Sequence, residues 1–273
     1  MYFSDLSPYF LPAKVVTLYI DGRPITFDTQ YPHDRQYISK LMLDIRIPQA
    51  DIDSILFKSF VRKGDRVIDA GANIGFTAIE CISAGASFVL AIEPVPEIFT
   101  RLSETCRDWK ITPLQIAISD VAGVMDMRIS QLHNQGSTIK EQMLSIFPQV
   151  FGGELQVSQV KTTTLDDIVE RYGMFDIWKL DIEGAEVDAL KGASEVLVKS
   201  PPRVVIAEIY DMFLQDFISV ITPTHPYAFR AFLRKDDYGL ELTAVDKFEE
   251  QNYEKTSPMY VFFQEDISCK REI

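Results

Sequence analysis

From Asp65 onward, short apolar runs alternate with segments that carry apolar residues at helical spacing. Val67-Ile68-Asp69-Ala70 reads as a buried strand, Ile74 to Ser83 as a helix, and Phe88 to Glu93 as a second strand. A helix is expected from Pro96 to about Asp108, with Pro96 suited to a first helical turn. Leu114 to Ile118, Phe175 to Asp181 and Arg203 to Glu208 read as the third, fourth and fifth strands, with a helix opening at Glu186. Near-continuous apolar strands separated by helices predict a parallel sheet covered on both faces. Leu240 to Val245 and Met259 to Gln264 read as two further strands, expected to pair as a hairpin across a long loop. The expected fold is α/β: a doubly wound, mostly parallel seven-stranded sheet.

Before Asp65 the pattern differs. Lys14 to Ile20 and Pro24 to Thr29 flank an Asp21-Gly22 pair, which predicts a hairpin. Helices are expected over Asp34 to Asp44 and Asp51 to Phe60. Residues 1–60 are therefore read as an N-terminal extension that acts as a lid or packing layer, and 61–273 as the ligand-binding domain. The stretch from Ser130 to Ser158 breaks the strand–helix alternation and reads as a long loop, either a binding lid or a neutral excursion. Thr164-Leu165-Asp166-Asp167 reads as a capping box opening a helix.

Composition narrows the class. The 273 residues, 47% of them apolar, are enough for one sizeable core. A net charge of −13 disfavours nucleic acid as a partner; the small basic run Arg62, Lys63 and Arg66 reads as solvated flanking of a strand start. Three widely spaced cysteines, Cys81, Cys106 and Cys269, imply neither a disulfide framework nor a metal site. No stretch has the length of a membrane span, and the first residues do not resemble a secretory leader. A cytoplasmic protein is expected.

The candidate chemistry lies at strand ends. Asp69-Ala70-Gly71-Ala72-Asn73-Ile74-Gly75 sits where a strand gives way to a helix, the place where open α/β sheets bind ligands. Asn73 stands where a dinucleotide fingerprint has its second glycine. The acid Asp69 suits the cationic head of a sulfonium amino acid better than a pyrophosphate. Glu93, about 20 residues beyond the glycine turn, is placed to accept from ribose hydroxyls. Ser119 and Asp120 follow the third strand and either bond an adenine amino group or make a plain turn. In the segment Lys179 to Glu186, alternation is expected to put Lys179, Asp181 and Glu183 on one side, and Gly184 permits a sharp turn. Asp181 and Glu183 are candidate general bases, and such carboxylates also suit a divalent cation, although no metal ligand is assigned. Glu186 reads as a helix-dipole acid. Of the histidines, His133 in the long loop is a third candidate base; His33 and His225 each neighbour a proline.

These motifs together resemble the FkbM-type family of class I methyltransferases. The likeness rests on VIDAGANIGF (Val67 to Phe76), AIEP (Ala91 to Pro94), AISD (Ala117 to Asp120), TTLDDI (Thr163 to Ile168) and KLDIEGAEVDALKGA (Lys179 to Ala193). It covers about Asp65 to Glu208. The resemblance implies S-adenosylmethionine as cofactor, contacted at Asp69, Gly71, Asn73, Gly75 and Glu93, with Ser119, Asp120 and Asp181 on the adenine or acceptor side. It also implies O-methylation of a small-molecule hydroxyl, as on a sugar or polyketide. Two alternatives remain at this point: an NAD(P)-dependent oxidoreductase on a similar fold, and a non-catalytic nucleoside-binding protein.

Overall fold

Asp21 and Gly22 take φ of 50° and 77°, the left-handed pair that a tight two-residue hairpin requires. They join β1 (Val15–Ile20) to β2 (Arg23–Asp28), with Val15 opposite Asp28. This computed structural model describes residues 15–130, 136–151, 153–245 and 253–267. Helices α1 (Pro32–Leu43) and α2 (Pro48–Phe60) follow, each with a proline in its first turn, where a missing N–H costs nothing. Ile25, Phe27, Ile38, Ile52, Leu56 and Phe57 belong to the same buried cluster as Val67, Val89 and Ile177. The N-terminal elements are thus packed onto one face of the main sheet.

The chain continues through β3 (Arg66–Ala70), α3 (Phe76–Ala84), β4 (Phe88–Ile92), α4 (Pro96–Cys106), β5 (Ile111–Leu114), β6 (Ala117–Ile118), β7 (Gly123–Ser130) and β8 (Ser137–Thr138). Next come α5 (Gln142–Ile146), α6 (Pro148–Phe151), β9 (Leu155–Thr163), α7 (Leu165–Tyr172), β10 (Ile177–Leu180), α8 (Glu186–Lys191), α9 (Ser194–Lys199) and β11 (Val204–Glu208). The last elements are α10 (Asp211–Ile221), β12 (Tyr227–Leu233), β13 (Leu240–Ala244) and β14 (Met259–Phe263).

The main sheet has eight strands in the order β13-β12-β14-β11-β10-β3-β4-β5. This corrects the expected seven-stranded, mostly parallel sheet. The five strands from β11 to β5 are parallel, but β14 joins β11 antiparallel, and β12 and β13 add two more antiparallel pairings. β13 and β14 do not pair with each other, because β12 lies between them; the expected hairpin is replaced by a strand that apolar spacing did not single out. Alternation along the strands feeds two cores. Val67, Val89, Ile177 and Ile206 face α2 and α3, while Ile68, Leu90, Trp178 and Val205 face the side of α7, α8 and α10.

The third predicted strand is in fact two. β5 completes the main sheet beside β4, whereas β6 leaves it and pairs parallel with the end of β9. The segment read as a long loop is largely folded. β7 and β9 form an antiparallel pair from Gly123 opposite Thr162 to Ser130 opposite Leu155, with β8, α5 and α6 between them. The capping box at Thr164 is present: its hydroxyl accepts the Asp167 N–H, and the Asp167 carboxylate accepts the Thr164 N–H. Cys81 and Cys106 are buried free thiols, and Cys269 lies outside the described residues. Among the described residues no helix is long and apolar enough to cross a membrane.

Candidate active site

The carboxyl ends of the parallel strands open into a cavity of about 810 Å³, within the size range of small-molecule and cofactor sites. Four segments predicted to carry chemistry or to end a strand meet on its wall: Gly71 to Ile74 after β3, Glu93 after β4, Asp181 to Glu183 after β10, and Glu208 closing β11.

The glycine loop is shaped by packing as much as by ligand access. Gly71 has φ of 83°, and a Cβ there would stand 1.8 Å from the Asp181 carbonyl oxygen. The ends of β3 and β10 therefore touch at this residue. Asn73 takes φ of 50°, and its N–H donates to Glu93 Oε2 over 3.2 Å. Glu93 Oε1 accepts the Val95 N–H over 2.9 Å. Glu93 thus ties the two loops together while bordering the cavity. Burial pushes its carboxyl up to about 7, against the opposing pull of the Val95 and Asn73 N–H groups. Gly75 begins α3 with φ of 89°, and a Cβ there would meet Leu102 of α4 at 2.8 Å; it serves helix packing and does not line the cavity.

Asp69 also differs from its expected place. It is fully buried, accepts the Thr77 hydroxyl over 2.7 Å and lies 3.5 Å from Lys179 Nζ. It is not among the lining residues. Ser119 and Asp120 do not reach the cavity either. The Ser119 hydroxyl donates to Asp120 Oδ1 over 3.1 Å, and the Ser119 carbonyl crowds Gly192, where a Cβ would stand 2.3 Å away. Ile116, Ala117 and Ile118 line that side instead, because the chain turns out of the main sheet at β6.

The acids after β10 and β11 converge. Oxygens of Asp181, Glu183 and Glu208 lie within 4.8 Å of one another. Lys179, 1% exposed, places Nζ 3.0 Å from Asp181 Oδ2. Burial disfavours the Asp181 charge, but the Lys179 ammonium and a hydrogen bond from Glu208 outweigh it and hold Asp181 below the usual carboxylate range. Burial and the charges of Asp181 and Glu183 push Glu208 well above that range. Asp181 is thus the anion and Glu208 carries the proton. Glu183 has φ of 53°, a conformation that a non-glycine residue holds at a cost of about 1–3 kcal/mol. Its Oε2 accepts the Tyr210 hydroxyl over 2.9 Å, and burial together with the Asp181 charge pushes its carboxyl up to about 8. Glu186 begins α8 and accepts the N–H groups of Ile182 and Gly184 with one oxygen, closing the turn on which Glu183 sits.

His133 lies outside the described residues. His33 lines the cavity. His225 is buried, with Nε2 2.7 Å from the Pro202 carbonyl oxygen, a structural position. Sequence reasoning did not single out Glu208, Tyr210 or Asp53, all of which line the cavity. Glu208 had a usable signal, since it ends a strand as Glu93 and Asp181 follow theirs. Asp53 had none.

The methyltransferase FkbM domain model matches residues 69–240, more than half of the chain. The hexuronic acid methyltransferase AglP of Haloferax volcanii is 28% identical over 171 residues, which is 61% of this chain and 64% of that protein. The chain thus spans less than two thirds of that relative's length. The 31-O-demethyl-FK506 methyltransferase FkbM of Streptomyces tacrolimicus is 28% identical over 183 residues, 56% of this chain and 68% of that protein. A crystal structure of a methyltransferase FkbM from Methylobacillus flagellatus superposes with a TM-score of 0.49 at 16% identity, covering 96% of this chain and 58% of that one.

Proposed function

We propose that this chain, which belongs to the FkbM methyltransferase family, transfers a methyl group from S-adenosylmethionine to a hydroxyl of a sugar or other small metabolite. The observation that carries this reading is the shared cavity wall, where Gly71 to Asn73, Glu93, Asp181 and Glu183 meet at the strand ends. Its chemistry fits the cofactor. The Glu93 carboxylate has lone pairs left to accept two ribose hydroxyls, and the acids around it suit a ligand with cationic sulfonium and ammonium groups. When bound, the cofactor supplies an electrophilic methyl group.

The chain's residues do the rest. Glu183 is placed to take the proton of the acceptor hydroxyl, with Tyr210 fixing its carboxylate over 2.9 Å. Asp181, already held as an anion by Lys179, is the weaker base and orients the acceptor. Apolar side chains of Ile116, Ile118, Met127 and Phe151 line the cavity and exclude water from it. Alignment in such a pocket is worth about 7–11 kcal/mol in favourable cases. The two relatives named above are, by their names, methyltransferases of a hexuronic acid and of 31-O-demethyl-FK506, which supports methyl transfer to a small molecule over hydride transfer. The test is transfer of a labelled methyl group from S-adenosylmethionine to a panel of sugar and polyketide alcohols. Label in at least one acceptor, lost in Glu183→Gln, is expected. Absence of label throughout, or undiminished transfer by the variant, contradicts the reading.

A further inference from the structure

Two aspartates of α2 lie two residues apart and differ in their surroundings. Asp51 is fully engaged. Its Oδ2 accepts the Ile47 N–H and the Tyr238 hydroxyl, and its Oδ1 lies 3.2 Å from Lys40 Nζ. Asp53 lines the cavity, yet its Oδ1 is shielded from solvent and has no hydrogen-bond partner among the described residues. A buried carboxylate oxygen without a donor is costly, by about 1–3 kcal/mol or more; among the described residues Asp34, Asp69, Glu80 and Glu186 also bury one such oxygen, but of these acids only Asp53 lines the cavity. The backbone gives it no freedom to move away. Ile52, Leu56 and Phe57 have no solvent exposure and root this helix in the core.

The charges that act on Asp53 indicate what it awaits. Burial most of all, and then the charges of Asp181, Glu80 and Asp69, disfavour its negative charge and push its carboxyl up to about 7, with Lys179 the cation set against them. Lys179 is already committed to Asp181 and Asp69. In that field a cationic donor is favoured over a neutral hydroxyl. Asp69, the acid that the sequence pattern assigned to a cationic head group, is sealed behind the wall by Thr77 and Lys179. Asp53, on α2, does line the cavity, and it lies outside the stretch that matches the family model.

We propose that Asp53 receives the α-ammonium group of S-adenosylmethionine. This rests on the cofactor reading above. α2 then completes the cofactor site, so that the N-terminal elements contribute a binding residue as well as covering the sheet. No bond is made or broken at Asp53, whose part is to anchor one end of the cofactor.

The test is calorimetric titration of wild type, Asp53→Asn and Asp53→Ala with three ligands. S-adenosylmethionine and S-adenosylhomocysteine carry the ammonium group; 5′-methylthioadenosine lacks the amino-acid arm. Both variants are expected to bind the first two about tenfold more weakly or worse and 5′-methylthioadenosine within about twofold of wild type. Unchanged affinity for the first two overturns the proposal, as does an equal loss for all three. If wild type binds S-adenosylmethionine and the variants bind it equally well, the assignment of Asp53 fails and the cofactor reading stands. If wild type does not bind it, both fall. Should neither variant fold, a crystal structure of wild type with S-adenosylhomocysteine decides: the amino nitrogen on the Asp53 carboxylate supports the proposal, and the amino nitrogen elsewhere overturns it.

Discussion

Lys179 Nζ stands 3.0 Å from Asp181 Oδ2 with almost none of the lysine exposed to solvent. The lysine sits on β10 between that acid and the buried Asp69, so one cation serves two carboxylates on neighbouring parallel strands. Removing one member of a buried ion pair leaves the other charge uncompensated, at a cost of about 3–5 kcal/mol. Lys179→Met is therefore expected to lose stability of that order in urea unfolding. A loss under about 1 kcal/mol, the size of an exposed pair, would show that the ammonium is dispensable to the fold.

In the proposed reaction Glu183 is the group that titrates during turnover. Glu183→Gln is expected to lower kcat by about 10²–10⁴-fold while S-adenosylmethionine still binds. A base must be deprotonated to act, so wild-type kcat/KM should rise with pH through about 8, where burial and Asp181 set this carboxyl. A variant that keeps the same rising limb would assign it to another group.

Stability should run the other way with pH. Burial lifts Glu93 to about 7, Glu183 to about 8 and Glu186 to about 7. The folded state then holds protons that the unfolded chain has released, so the stability these groups contribute is present below the ordinary carboxylate range and lost as pH rises through 7 to 8. The Tm of the ligand-free protein should fall between about pH 5 and pH 8, and Glu186→Gln should flatten the fall. A Tm that rises across this window contradicts the assignment.

Gly71 tests the joint between β3 and β10. A Cβ would overlap the Asp181 carbonyl at 1.8 Å, and φ is 83°. Both effects oppose a side chain, so Gly71→Ala should cost at least about 2 kcal/mol and weaken cofactor binding by parting the strand ends. A variant as stable as wild type would mean that the loop relaxes freely.

The parallel half of the sheet was legible because its strands are buried on both faces and read as apolar runs, as in Val67-Ile68 and Val204 to Ala207. The β7–β9 pair was not, since Val124 and Val157 point to solvent and polar residues interrupt the runs. Strand-end position singled out Glu93 as a cofactor contact and Asp181 and Glu183 as candidate bases, and all three line the cavity. The same rule misplaced Ser119 and Asp120, because local pattern does not reveal that the chain leaves the sheet at β6. Asp69 was misplaced for a related reason: spacing gives its strand and side, but not that Lys179 and Thr77 enclose it. Asp53 became visible only once the fold brought α2 against the strand ends.

The central claim is the identity of the cofactor, and the most direct measurement is calorimetric titration of the purified protein with S-adenosylmethionine, using NAD and NADP as controls. Saturable binding of S-adenosylmethionine, with neither nicotinamide cofactor bound, is the predicted result. No binding of S-adenosylmethionine, or a preference for a nicotinamide cofactor, would contradict it.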